Sequence, residues 1–249
     1  MYNRFFLTVI ILILFVNSCR SINSTREDIG ISKNFVIFSF DDGPDEHTTP
    51  ELLDVLDKYQ IKAIFFLLGE NAEQYPEITR RIYEEGHIIA NHGYSGRQAH
   101  HLKDDQFTYN LVRGQEAISS ALGFYLYPKL YRPHGGFLNS RRERILINNG
   151  FFPVFTNIRV YDAVKTSVYR QMAANKIIDK AIREGGGIIL LHDARDSYSK
   201  KNKKLEKNPK GPYNRLWIID TVEEIIVSLL NRGFVLHHPD LLSVIGYTD

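Results

Sequence analysis

The sequence predicts an α/β fold built on a parallel sheet, and three observations predict it. Short apolar, β-prone runs alternate with amphipathic segments of helical period, the connections between them are short, and polar clusters stand where the apolar runs stop. Repeated βα units of this kind call for a parallel sheet, open or closed into a barrel, whose chemistry gathers at the C-terminal ends of the strands.

The chain has 249 residues, 43% hydrophobic and 24% charged, which suits one globular domain, placed at residues 35–245, behind a leader. Lys+Arg 31 against Asp+Glu 29 leaves a formal charge of +2, so no general field for nucleic acid exists and function must come from a site. Residues 1–18 read as an export leader, with Arg4 in a short basic start and an apolar run over residues 5–16 that is too short for a comfortable membrane span. Cys19, the single cysteine, follows directly, so no intramolecular disulfide is possible. The stretch Val16-Asn17-Ser18-Cys19 resembles a bacterial lipobox, with Asn17 a loose match, and implies a lipidated Cys19 as first mature residue. Residues 19–34 then form a tether, and stable attachment generally takes more than one acyl chain. The expected location is the bacterial cell envelope, membrane-anchored; a plain secretory signal giving a secreted or periplasmic protein is the alternative.

Residues 35–40 (Phe-Val-Ile-Phe-Ser-Phe) predict a buried parallel strand ending at Asp41-Asp42-Gly43-Pro44. Pro50 opens a helix to Lys58, with Leu52, Leu53, Val55 and Leu56 at helical spacing. Strand 63–68, helix 76–85 with Gly86 as its stop, and strand 87–90 follow. Helix 107–122, strand 129–131, helix 140–148, strand 152–156, helix 168–184, strand 187–191, helix 217–231 and strand 233–236 complete the order. The basic stretch 200–214 has Pro and Gly but no periodicity and reads as an exposed loop, with a lip over an anionic polymer as its functional alternative.

Asp41 and Asp42 are adjacent acids at a strand end. Each raises the other's proton affinity unless a cation or an arginine intervenes, so one can bind a divalent metal while the other stays free as a base. Alone, Asp-Asp-Gly-Pro is more often just a turn. His92 and His192-Asp193 end two further strands, and together the three strand ends offer the metal pair, base and acid that a hydrolase needs.

With Ser39-Phe40-Asp41-Asp42-Gly43-Pro44, Arg132-Pro133-His134-Gly135-Gly136 and Leu190-Leu191-His192-Asp193 in order, the chain resembles the polysaccharide deacetylase (NodB-homology) family, carbohydrate esterase family four, over residues 35–242. The resemblance implies a distorted, TIM-like (β/α) barrel of about seven βα units and hydrolysis of the N-acetyl group of an extracytoplasmic glycan, peptidoglycan or chitin-like. It implies Asp41 as general base, Asp42 and His92 as ligands of a divalent metal, His192 as general acid and Arg132 holding Asp41 charged. The metal is expected to be zinc, with cobalt, nickel or manganese as alternatives. It further implies an oxyanion contact near Gly135, Leu190 in the acetyl-methyl pocket, and Asp162 orienting His192, although the match around Asp162 is poor.

The sequence departs from the pattern at His92-Gly93-Tyr94-Ser95-Gly96, where Gly96 stands at the second histidine ligand. Three accounts remain open: His100 or His101 swings in, with His101 taken as the ligand; Asp42, His92 and waters bind metal weakly; or metal catalysis is lost, leaving a glycan-binding lipoprotein on the same fold. His47 and His134 are nearby but read as ordinary loop residues. Gly135 and Ala163, where the family carries aromatics, strip the groove of bulky walls.

Overall fold

The computed structural model describes residues 34–162, 167–195, 215–236 and 240–247. The expected leader 1–18, Cys19, the tether up to residue 33, Ala163 and the basic loop 200–214 lie outside the described residues. No helix among the described residues is long and apolar enough to cross a membrane. The compact unit Asn34–Leu241 carries the whole sheet; a second unit comprises Met1–Lys33 and Leu242–Asp249, of which residues 242–247 are described.

The chain runs β1 (Phe35–Asp41), α1 (Thr48–Lys58), β2 (Ile64–Leu67), α2 (Gly69–Gln74), α3 (Pro76–Glu84), β3 (Ile88–Asn91), α4 (Asp104–Leu122), β4 (Leu130–Tyr131), α5 (Ser140–Asn148), β5 (Phe152–Pro153), β6 (Ile158–Arg159), α6 (Arg170–Glu184), β7 (Gly186–His192) and α7 (Trp217–Leu230). The seven strands form one sheet in the order β5-β4-β3-β2-β1-β7-β6. Every pairing is parallel. The sheet is a curled half-barrel with helices, the distorted (β/α) barrel that the resemblance implies.

Two faces of β1 explain the layering. Val36, Phe38 and Phe40 point outward into the main core, where they meet Leu52, Leu53 and Leu56 of α1 and Val222, Ile225 and Ile226 of α7. Phe38 and Phe40 are fully buried, and each such side chain is worth roughly 1.5–3 kcal/mol of transfer free energy. Alternation turns Ser39 and Asp41 to the opposite, inner face. A smaller core of Leu102, Phe107, Leu111, Tyr131, Leu146 and Phe151 closes the β4 side.

Register carries the inner face across neighbouring strands. Ser39 pairs with Leu190 and Asp41 with His192 on β7, while Asp41 also pairs with Phe66 on β2. Paired residues of parallel strands share a face, so Asp41, Phe66, Leu190 and His192 line one side of the same rim.

Several elements differ from expectation. Helix α4 begins at Asp104 rather than 107, because Gln106 accepts from the Lys103 N–H (3.1 Å) and caps its start. The segment 233–236 gives one bridge, Phe35 to Val235, instead of a strand. Conversely, β6 and α2 have no counterpart in the periodicity: β6 has two residues, and α2 (Gly-Glu-Asn-Ala-Glu-Gln) lacks an apolar repeat. β5 stops at Pro153, where 152–156 is expected, because proline has no N–H to give the ladder.

Candidate active site

Asp41 and Asp42 lie side by side in sequence but face different partners. Asp41 is the last residue of β1; Asp42 adopts φ 75°, an uncommon left-handed conformation for a residue with a side chain. The Asn71 amide, at the start of α2, donates to the Asp42 carbonyl (2.7 Å), and the Leu68 N–H donates to the Gly43 carbonyl (3.0 Å), pinning the turn. Gly43 is required by packing: a Cβ there would stand 2.4 Å from Oδ2 of Asp193. Asp193 is itself held by the Thr49 hydroxyl, which donates to Oδ2 (2.6 Å). Burial, reinforced by the nearby acids Asp45 and Asp42 against that hydrogen bond, pushes the Asp193 carboxyl up to about 7.

Arg132, at the exit of β4, is buried under the sheet rim. Its Nη1 donates to Asp41 Oδ1 (2.7 Å) and to the Ser39 hydroxyl (2.9 Å), and its Nε to the Val154 carbonyl (3.3 Å). The guanidinium lies 3.8 Å from the Phe66 ring centroid, a cation–π contact in a desolvated place. Asp41 therefore has one oxygen committed to a fixed cation. Its other oxygen, Oδ2, faces Nε2 of His92 at 3.5 Å.

His92 leaves β3 with Nδ1 2.8 Å from the Arg132 carbonyl. A carbonyl only accepts, so Nδ1 carries the hydrogen and Nε2 presents a lone pair. Burial, aided by His134 and Arg132 and opposed by Asp42, pushes its pKa down to about 3, so the ring is neutral. That lone pair lies 3.5 Å from Asp42 Oδ1, an oxygen that is buried with no hydrogen-bond donor. His134 Nε2 stands 3.5 Å from the same oxygen. Acceptors facing acceptors in a dry site call for a cation.

Asp42, His92 and His134 each offer a ligand atom, all within 4.8 Å of one another. Two ligand atoms about 2.1 Å from a tetrahedral ion stand about 3.4 Å apart, so this donor set fits a divalent metal of zinc type. The bond from His92 to the Arg132 carbonyl is the outer partner that ligating histidines usually have.

This arrangement corrects the expectation for His101. His100 and His101 are exposed and pack on each other, ring centroids 4.1 Å apart, in a short 3-10 turn, Ala99–His101, and neither belongs to the cluster. Their turn serves His134 instead: the Ala99 N–H donates to the His134 carbonyl (3.2 Å). Reading His134 as ordinary loop chemistry missed its position; its one sequence signal was its place two residues after Arg132.

On the opposite wall, His192 ends β7 with Nδ1 2.9 Å from Asp162 Oδ1, and its N–H donates to Oδ2 (2.9 Å). Arg215, just before α7, donates through Nη2 to Asp162 Oδ2 (2.5 Å) and through Nη1 to the Asp162 carbonyl (2.7 Å). Burial alone would lower the His192 pKa, but the Asp162 charge and hydrogen bond, helped by Asp42 and Asp41, raise it to about 9. Burial likewise opposes ionisation of Asp162, yet His192 and Arg215 bring it down to about 2. At neutral pH the pair is imidazolium and carboxylate. Arg215 had no signal in sequence, being a lone cation at a helix start.

Leu190 is half-buried on the same face as His192. Gly135, φ 85°, lies in the exposed β4 exit loop, and its N–H donates to nothing among the described residues. Gln98 fills the space beside it, its Cγ 3.4 Å from where a Cβ would stand.

A family model described as polysaccharide deacetylase matches residues 30–154, half of the chain. The chain belongs to the polysaccharide deacetylase family. A peptidoglycan-N-acetylglucosamine deacetylase of Bacillus cereus is 32% identical over 163 residues, 65% of this chain and 56% of the relative, so the chain spans little more than half of that protein. A chitooligosaccharide deacetylase of Rhizobium leguminosarum bv. trifolii is 29% identical over 169 residues, 67% of this chain and 75% of the relative. Among solved structures, that of a peptidoglycan N-acetylglucosamine deacetylase superposes with a TM-score of 0.66 at 28% identity, covering 87% of this chain and 90% of its own.

Proposed function

We propose that this polysaccharide deacetylase domain hydrolyses the N-acetyl group of an amino sugar in an extracytoplasmic glycan, releasing acetate and leaving a free amine. The observation that carries the reading is the three-part rim: Asp41 fixed by Arg132, the acceptor cluster of Asp42, His92 and His134, and the charged pair of His192 and Asp162. The peptidoglycan and chitooligosaccharide deacetylases among its relatives support the same class of bond.

Asp42, His92 and His134 would hold a divalent ion, zinc by donor type, which supplies Lewis acidity for the acetyl carbonyl and for water. Asp41, with Oδ1 bound to Arg132, uses its other oxygen to take the proton from the attacking water. The Gly135 N–H is free to donate to the oxygen that becomes negative. His192, already protonated and held by Asp162, gives its proton to the departing nitrogen. Leu190 meets the acetyl methyl. The C–N bond breaks, acetate keeps the water oxygen, and the amine leaves with the proton from His192.

Acetate release from chitooligosaccharide and peptidoglycan fragments, before and after chelation, tests this. Asp41→Asn is expected to lower kcat at least about a hundredfold, in line with loss of a general base, with the fold intact by circular dichroism. Unchanged turnover in that variant overturns the mechanism. A stoichiometric, tightly bound metal with no acetate released from any N-acetylated glycan would favour the glycan-binding alternative.

A further inference from the structure

Arg215 stands in a place that stability alone does not explain. It is 3% exposed and comes just before α7, so its charge is withdrawn from water and set at a helix start, where the helix dipole opposes a cation. Asp162 offsets both: Nη2 of Arg215 donates to its Oδ2 (2.5 Å) and Nη1 to its carbonyl (2.7 Å). The same guanidinium reaches the neighbouring strand, where Nε (3.0 Å) and Nη2 donate to the His192 carbonyl. The Trp217 ring, its centroid 5.0 Å away, backs the cation.

These bonds fall where the sheet has stopped. The β6–β7 ladder ends at the pair Arg159 and Leu190, so Asp162 and His192 lie beyond its last rung. Tyr161 is 80% exposed, yet Asp162 beside it is fully buried. The carboxylate is fastened from two sides, by His192 through Nδ1 and the backbone N–H, and by Arg215 through the guanidinium. A planar fork that holds the backbone and the carboxylate of one residue at once fixes direction as well as charge.

The charges around His192 give this arrangement a use in proton transfer. Asp162 faces it from the exit of β6, Asp41 and Asp42 from the exit of β1, and all three favour the imidazolium. Asp41 is paired with Arg132, and Asp193, next in the chain, is bound to Thr49 of α1. Arg215 is the cation set against Asp162. Once the proton has passed from His192 to the departing nitrogen, Asp162 without Arg215 would be a buried carboxylate lacking a counter-charge, and the cost of that state would hold the proton on the ring. With Arg215 in place the carboxylate is paired before and after the transfer.

We propose that Arg215 is a positioning residue for the general acid, fixing Asp162 in direction and charge so that His192 releases its proton readily. The assignment rests on the deacetylase reading and adds a residue to it.

Two substitutions in the full chain test it. In metal-loaded protein Arg215→Met is expected to lower kcat for acetate release at least about tenfold with KM within about a factor of two, and to move the upper limb of the kcat–pH profile to higher pH, because removing a cation strengthens the hold of His192 on its proton. Arg215→Lys keeps the charge without the fork, so the limb stays near its wild-type position while kcat recovers only in part. An unmoved limb in Arg215→Met, the result of a role confined to packing, overturns the proposal. Where Arg215→Met does not fold, Arg215→Lys decides: lowered kcat with KM kept supports the proposal, and unchanged kcat overturns it. A second readout needs no turnover. In chelated protein the Nδ1 proton of His192, bound to Asp162, is expected to give a low-field proton NMR signal, assigned by its absence in Asp162→Asn, that persists in Arg215→Lys and is displaced or lost in Arg215→Met. An identical signal in wild type and Arg215→Met overturns the proposal. The expected signals without acetate release from the wild type would remove the deacetylase reading and keep Arg215 as the residue that holds Asp162.

Discussion

His134 completes the cluster of Asp42 and His92 that could hold a metal ion. Gly96 has no side-chain donor, and the third group of the cluster comes from the exit of β4 instead of the exit of β3. His134→Ala is expected to weaken zinc binding by at least about a hundredfold, whereas His101→Ala leaves it within a factor of two; calorimetry and elemental analysis read both. Adding Gly96→His to His134→Ala should restore part of the affinity. Equal affinity in wild type and His134→Ala would show that the cluster is not the metal site. A second expectation concerns His192. Its folded pKa of about 9 exceeds the ordinary 6.5, so between these values the folded chain binds a proton that the unfolded chain does not. In metal-free protein this stabilisation, at most about 3 kcal/mol, is complete below pH 6.5 and is lost as pH rises through 9. Activity should fall over the same upper limb as the general acid loses its proton, and Asp162→Asn should move that limb to lower pH. The strand-exit groups Asp41, Asp42, His92, Arg132 and His192 were in view in the sequence, because each follows an apolar run or stands in a motif; Asp162 came only from the family resemblance, at a poor match, since the two-residue β6 before it leaves no periodicity. His134 and Arg215 were not readable in the same way, since their roles depend on distances across separate loops.

Among the elements, the turn after β1 carries the tightest constraint. Gly43 lies against Asp193, and Asp193 is pinned by Thr49 of α1, so three elements meet where Asp41 and Asp42 are aimed. Gly43→Ala should destabilise the domain by at least about 2 kcal/mol through overpacking and lower metal affinity with it, as read by denaturant melts and calorimetry. A variant of wild-type stability would show that the turn yields freely. The long helices and the strands β1, β2, β3 and β7 were legible because their apolar residues repeat with the period of the element. Short elements were not: β6 has two residues and α2 a single turn or so of polar sequence, and both are specified by the neighbours they pack on rather than by their own pattern. The segment 233–236 shows the converse, an apolar β-prone run that the fold uses for one bridge.

Across the whole molecule, β1 is the hub. It is buried along its full length, lies between β2 and β7, and ends at Asp41, with Asp42 in the turn that follows. The near-neutral total charge leaves specificity to local groups. The proposed export signal is also a whole-chain property: if Cys19 is lipidated the domain should fractionate with membranes, and Cys19→Ser should release it to the soluble fraction in cell fractionation. Identical partition of the two proteins would favour the plain secretory reading. The ends of the sheet bear on how the protein behaves when concentrated. Its edge strands, β5 and β6, are two residues each, one containing Pro153 and the other ending in Arg159. Edges so short, one lacking a donor and one bearing a charge, give a second molecule little backbone on which to extend the ladder, so the open sheet resists edge-to-edge aggregation.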